Sequence, residues 1–518
     1  MHAIMRRDRL HWRFLGVLLG ILVLEAPLAA ANATDTRTQW FHPCCARSRA
    51  VITHHRIKVG HRTLIYTAEA GRTPVRDVTT GKPLAYIFYV AYRVPTPPGT
   101  VRPISFIWNG GPGWPAAMIQ FYGGAPKRIE NTRLIDNADT WLTDSDLVYM
   151  DPVGTGFSRA VSAEAQKAFT SDIGDVAAST DFVRAWLLEH GAEGAPLIIV
   201  GESYGAGRAG SVAYRLLKLG FKVRGLGLFS NTSGLPRYSN EDIIAPAMHV
   251  GDYAVAALYY HRLPPDLGTT PDAARTTAEQ WARKVYIPAL MRLHQLPYSE
   301  RLQIAAELAR HIGLDPIDIN LATLRITEGD FLGHLVPGKL PFYLDYRKLQ
   351  PYQYPSLEPG VRYIRHNLGY SSDLPYLGVE PVTDGFAPFG AYPRSVNSAW
   401  VYSTVYGATP QEVAQAQIAF ATTGIIGATH YGPNLPGAAA AIQLYPHLQV
   451  LVAHGAYDPV GGCSMDAALG RHLTSPYRED VRFRCYMAGH VIYLDPAARA
   501  MLAADMRSLA HRAAAEGP

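Results

Sequence analysis

Cysteine is scarce: the 518 residues hold four. Cys44 and Cys45 are adjacent, Cys463 and Cys485 stand far downstream, and none has metal-site spacing. An excess of one charge is also missing. Lys and Arg total 48 against 43 Asp and Glu, a net of +5. With no long basic run, this balance does not point to nucleic acid. No G-K-[ST] follows the Gly-rich stretch at 109–113, which argues against a phosphate cradle. The apolar run "FLGVLLGILVL" (14–24) falls short of the roughly 20 residues that span a bilayer. No internal repeat or low-complexity tract stands out.

What is present is a globular profile. Hydrophobic residues make up 48% and charged ones 18%, ample for a core. The length allows one large domain or two or three ordinary ones. The counts of 38 Pro and 30 Tyr suggest long structured loops.

Arg6, Arg7, Arg9 and Arg13 precede the apolar run, and the small residues "LAAANA" (28–33) follow it. This order reads as a signal peptide over 1–33, cleaved after Ala31 or Ala33, with an uncleaved anchor as the alternative, and implies a secreted or periplasmic protein. Nothing around Arg6-Arg7 strengthens a twin-arginine reading. Export permits disulfides. Cys463 and Cys485 would lie near the ends of neighbouring strands, which suits a bridge between them. Pairing of Cys44 or Cys45 with either stays open. The sequon "NTS" (231–233) has meaning only in a host that glycosylates exported proteins.

Residues 51–95 read as antiparallel strands broken by "DVTTGKP". Five short apolar runs follow: "PISFIW", "DLVYMD", "APLIIV", "VRGLGLF" and "LQVLVAHG". Helical patterns separate them, which predicts an α/β fold with a mostly parallel central sheet. The clearest helix, 174–190, puts Val176, Val183 and Leu187 on one face. Roughly 200 residues between Phe229 and Leu448 lack that rhythm, which is too long for a structureless connection. They read as a large inserted cap with a helix over 278–294. The expected domains are 34–234 for the first part of the core, 235–440 for the cap and 441–518 for the second part of the core.

"APLIIVGESYGAGRAG" has the form strand, G-x-S-x-G, helix. A sharp turn there lifts Ser203 above the sheet, and the flanking glycines spare a collision with neighbouring backbone. A serine hydroxyl needs a base that a carboxylate orients, and in this fold the chain order is Ser, Asp or Glu, His. Asp458 in "AHGAYDPV" and His490 in "AGHVIYLDP" each follow a strand, with one helix, "SMDAALGRHL", between them. Asp458 before Pro459 also suits a plain turn. His54, His55, His454 and His472 read as surface residues. The oxyanion hole takes one N–H from Tyr204 and another from the glycine loop, where Gly111 is the choice.

The segments "WNGGPG" (108–113), "DPVGTGFS" (151–158), "GESYGAG" (201–207), "YDPV" (457–460) and "AGHVIYLDP" (488–496) resemble those of the serine carboxypeptidases, an α/β-hydrolase family. The resemblance implies that Asn109 and Glu202 bind the C-terminal carboxylate of a peptide with a free C-terminus. Glu202 must then hold a proton, because two adjacent carboxylates repel, and acidic pH is favoured. It also implies catalysis without a metal or organic cofactor. There are departures. Trp114-Pro115-Ala116 stands where eukaryotic members have Cys-Ser-Ser, Gly123 stands where many have a second Glu, and Ala456 replaces an Asp before the triad acid. The same triad also suits an esterase or acyltransferase. A binding or adhesion protein on a hydrolase fold would usually have lost a triad member.

Overall fold

A computed structural model of the chain describes residues 50–97, 99–232, 234–235, 241–380, 400 and 437–515. The signal-like segment, Cys44, Cys45 and part of the expected cap lie outside the described residues. Nine strands follow one another across a sheet of ten. They are β1 (Val51–Val59), β2 (Arg62–Arg76), β3 (Pro83–Arg93), β4 (Ile104–Trp108), β5 (Asp146–Met150), β6 (Leu197–Glu202), β7 (Val223–Phe229), β8 (Gln449–Gly455) and β9 (Val481–Tyr486). Their spatial order is β1-β2-β3-β5-β4-β6-β7-β8-β9, with the two-residue strand Arg159–Ala160 beside β3. The first three pairings, including β3 with β5, are antiparallel. From β5 to β9 every pairing is parallel. This is an α/β fold with a mostly parallel sheet, and the apolar runs are its inner strands.

Strands buried on both faces read as continuous apolar runs because alternate side chains feed two cores. Ile198 and Val200 of β6 join Phe229 and Leu451 on one face, under helix α6 (Pro496–Ala515) and its Leu502, Met506 and Leu509. Ile199, Leu228 and Val450 face the other way. There they meet helix α1 (Asp172–Glu189) through Val176, Val183 and Leu187, and helix α2 (Tyr204–Lys218) through Val212 and Leu216. Ser171 caps α1, its hydroxyl accepting from the Gly174 N–H, a contact that stabilises a helix start by about 1 kcal/mol.

A third core belongs to the inserted region. Tyr253 and Ala254 of helix α3 (Val250–Tyr259) pack with Leu308 and Ile312 of helix α4 (Tyr298–Ile312), and with Phe331 and Tyr346. Leu357, Ile364, Tyr370 and Tyr376 pack instead on the first sheet face. The expected single helix over 278–294 is divided. A helix ends at Trp281, a wide turn spans Ala282–Tyr286, and a short helix runs Ile287–Met291. Pro288 has no N–H to give the helical ladder, so the hydrogen-bond spacing widens just before it.

The two loops after β8 and β9 lie against one another. Tyr457 N–H donates to Ala488 O at 2.9 Å, and Ala456 N–H to Tyr486 O at 2.7 Å. A disulfide joins Cys463, at the start of helix α5 (Cys463–His472), to Cys485 of β9. A Cβ on Gly455 would stand 2.2 Å from Ala488 O and 2.3 Å from Gly489 O. Gly455→Ala therefore forces backbone apart, and a loss of about 2–3 kcal/mol in urea unfolding is expected. An unchanged unfolding midpoint would contradict this packing.

Candidate active site

Ser203 stands at the end of β6, where the chain reverses into α2. Its backbone is at φ 57°, ψ −130°, a region that side chains other than glycine rarely adopt. Two hydrogen bonds fix it there: Ser203 N–H donates to Phe229 O at 2.8 Å, and Ser203 O accepts from Ala206 N–H at 2.9 Å. The flanking glycines leave no choice of residue. A Cβ on Gly201 would lie 1.8 Å from Gly205 O, and one on Gly205 would lie 2.7 Å from Asn109 O.

The glycine loop after β4 comes directly onto this turn. A Cβ on Gly110 would be 2.6 Å from Tyr204 N, so the loop backbone and the start of α2 are in contact. Gly111 has φ 103°, which suits glycine alone. Behind the loop lies a buried ion pair. Arg208 donates to Asp175 at 2.6 Å and to Asn109 O at 2.9 Å, and the Tyr204 hydroxyl donates to the same Asp175.

Asp458 and His490 meet. His490 Nδ1 lies 2.9 Å from Asp458 Oδ2, and both side chains are buried. Asp458 also accepts from Val460 N–H at 3.0 Å. Nδ1–H thus points at the carboxylate, and Nε2 is the ring nitrogen without the proton. Burial opposes an imidazolium here, but the Asp458 carboxylate outweighs it, and the His490 pKa moves up from its ordinary value. Among the described residues no hydrogen bond joins Ser203 Oγ to His490; such contacts often tighten only when substrate binds. Ser230, at φ 54° after β7, holds the His490 carbonyl through its hydroxyl at 2.6 Å.

Asn109 and Glu202 are also brought together. Asn109 Oδ1 accepts from Ile119 N–H at 3.0 Å, which turns Nδ2 toward Glu202 Oε2. Tyr493 completes a ring: its hydroxyl donates to Glu202 Oε2 at 2.5 Å and accepts from Asn109 Nδ2 at 2.9 Å. Burial pushes the Glu202 carboxyl up to about 7, His490 and the two hydrogen bonds resisting. Gly123 lies beside this ring, and its Cβ would be 3.5 Å from the Tyr493 ring.

His454 requires a correction. It is not a surface residue but is fully buried, with Nδ1 2.7 Å from Asp466 Oδ2 of α5. It sits on β8, covered on both faces, which one histidine in an apolar run does not reveal. Sequence reasoning also passed over Tyr493 and Ser230. Their partners lie 291 and 260 residues away in the chain, and only the position of Tyr493 beside His490 offered a signal.

A family model described as serine carboxypeptidase matches residues 77–218. That stretch holds Asn109, Gly111, Glu202, Ser203 and Tyr204, while Asp458 and His490 lie beyond it. No curated protein matches the chain. Among solved structures, the chain is similar to a prohormone-processing carboxypeptidase from Saccharomyces cerevisiae at 12% identity. That match covers 86% of this chain and 91% of the other, with a TM-score of 0.45. It is also similar to a homoserine O-acetyltransferase from Staphylococcus aureus, at 11% identity over 87% and 96% of the two chains, with a TM-score of 0.31.

The arrangement predicts that a fluorophosphonate labels Ser203 stoichiometrically. Ser203→Ala should abolish labelling, and His490→Ala should slow it by about 10³-fold or more. Mass spectrometry of the labelled peptide checks both, and a label on another residue would contradict the assignment of Ser203.

Proposed function

From the match of residues 77–218 to a serine carboxypeptidase family model, we propose that the protein is an exported serine carboxypeptidase. Ser203 attacks the last peptide carbonyl as His490 Nε2 takes its proton. Asp458 holds the imidazole in the tautomer that leaves Nε2 free. The N–H groups of Gly111 and Tyr204 bind the oxyanion. His490 then hands the proton to the departing amine, the C-terminal residue leaves, and water activated by His490 hydrolyses the acyl-enzyme ester. Export rests on the charged, apolar and small-residue order of 1–33.

One observation carries the choice of a carboxypeptidase: Glu202, buried and held between Asn109 and Tyr493, with its carboxyl pushed up to about 7. Below that pH it is neutral and donates to the substrate's terminal carboxylate. Above it the two negative charges repel. The absence of a second acid at Gly123 favours the rival reading, an esterase or acyltransferase on the same triad.

The test uses N-blocked dipeptides ending in a free acid, an amide and a methyl ester, with Ser203→Ala as blank. The free acid should be preferred by about 10–100-fold, the range of a hydrogen bond to a charged group. That preference should fall as pH rises through about 7, where Glu202 ionises. Ester cleavage should instead rise with pH as His490 loses its proton. Glu202→Gln, which keeps a donor without the titration, should flatten the fall. Ester cleavage with no free-acid preference at any pH would sink the carboxypeptidase reading and leave the esterase.

A further inference from the structure

Tyr493 belongs neither to the triad nor to the oxyanion turn. It sits on the helical turn Ile492–Leu494, three residues past His490, and is 1% exposed. Two donors converge on one oxygen of Glu202: the Tyr493 hydroxyl and Asn109 Nδ2 both donate to Oε2. Oε1 is buried and has no hydrogen-bond partner among the described residues. A proton on Oε2 would face two donors at once, so the neutral acid carries its proton on Oε1. Among the described residues that O–H has no acceptor, and an unpaired buried polar group favours whatever pairs it.

We propose that Tyr493 is a specificity-determining residue: by occupying Oε2 of Glu202, its hydroxyl reserves the protonated Oε1 for the terminal carboxylate of the peptide. This rests on the carboxylate-binding reading of Glu202 given above. The charged and titratable groups around Glu202 are His490, Asp458 and Tyr493, with Tyr354 from the inserted region. A phenol donates more strongly to a carboxylate than to a neutral acid, so Tyr493 favours the ionised form of Glu202, while burial favours the neutral one. Removing the hydroxyl therefore extends the neutral, donating form to higher pH. A residue that only filled space would not have that effect.

The experiment compares the full protein with Tyr493→Phe. The ratio of kcat/KM on the free-acid dipeptide to that on its methyl ester is followed across pH. Ester cleavage should stay within about twofold, and the pH midpoint at which the free-acid preference falls should rise by about one unit. Site-specific 3-fluorotyrosine at 493, a stronger donor of nearly the same shape, should move that midpoint down and keeps the test alive if the Phe variant fails to fold. An unmoved midpoint with either replacement would overturn the proposal, as would equal losses on acid and ester. If the unaltered protein prefers free acids and only the midpoint fails to move, Glu202 keeps its role and Tyr493 loses its own. If the unaltered protein shows no such preference, the reading of Glu202 falls, and this proposal falls with it.

Discussion

The reversal of chain at Ser203 is the constraint around which the site is arranged. A non-glycine residue at φ 57° is strained by roughly 1–3 kcal/mol, and it persists because its surroundings leave no other conformation. Gly201, Gly205 and Gly110 bring three stretches of backbone closer than any side chain allows. Trp108 Nε1–H donates to Gly205 O at 2.9 Å, tying β4 to the first turn of α2. The glycine loop that follows Trp108 has its course set by the Ser203 turn itself. The glycine loop and the turn at Ser203 are thus one packing unit.

Buried charge supports that unit from behind. Arg208 and Asp175 are almost wholly buried and lie 2.6 Å apart, and a lone charge there would cost several kcal/mol. Arg208 uses a second donor on Asn109 O, so the ion pair also positions the residue whose side chain faces Glu202. The inserted region contributes in the same way through its backbone. His490 N–H donates to Leu344 O at 2.8 Å and Tyr346 N–H to Tyr457 O at 3.0 Å. Residues 344–346 thereby hold the loops of Asp458 and His490 at once. A Cβ on Gly489 would strike Asp345 at 2.6 Å, which leaves this contact no slack. Residues 344–346 of the insertion are thus a wall against the loops after β8 and β9.

What was legible in the sequence follows from this physics. Close backbone approach demands glycine, so "WNGGPG" and "GESYGAG" mark the turn in one dimension. Strands buried on both faces demand unbroken apolar runs, so the parallel sheet is visible too. Short separate pairs such as Pro341–Phe342 with Asp345–Leu349 have too few residues for any period to show. The split of the helix near Pro288 was readable from the proline itself. Ser230 and Tyr493 were not, because a hydroxyl says nothing of a partner hundreds of residues away. His454 was misjudged for a related reason: its burial comes from the neighbours of β8, not from its own segment.

His454 also shows why a His–Asp pair is not by itself an active centre. It lies on β8, four residues before Asp458, and its bond to Asp466, at 2.7 Å, is no longer than the 2.9 Å bond of His490 to Asp458. Burial disfavours its charge, yet Asp466 outweighs this and its pKa rises to about 9. Its Nε2 is buried, without a partner among the described residues, and a Cβ on Gly461 would come within 3.0 Å of it. Loop backbone therefore occupies the space that a nucleophile or substrate would need. Asp466 balances the charge of His454, while Asp458 bonds His490. The two pairs share chemistry and differ in surroundings: loop backbone at Gly461 closes on His454 Nε2, whereas His490 is held through its own backbone by Ser230 and Leu344.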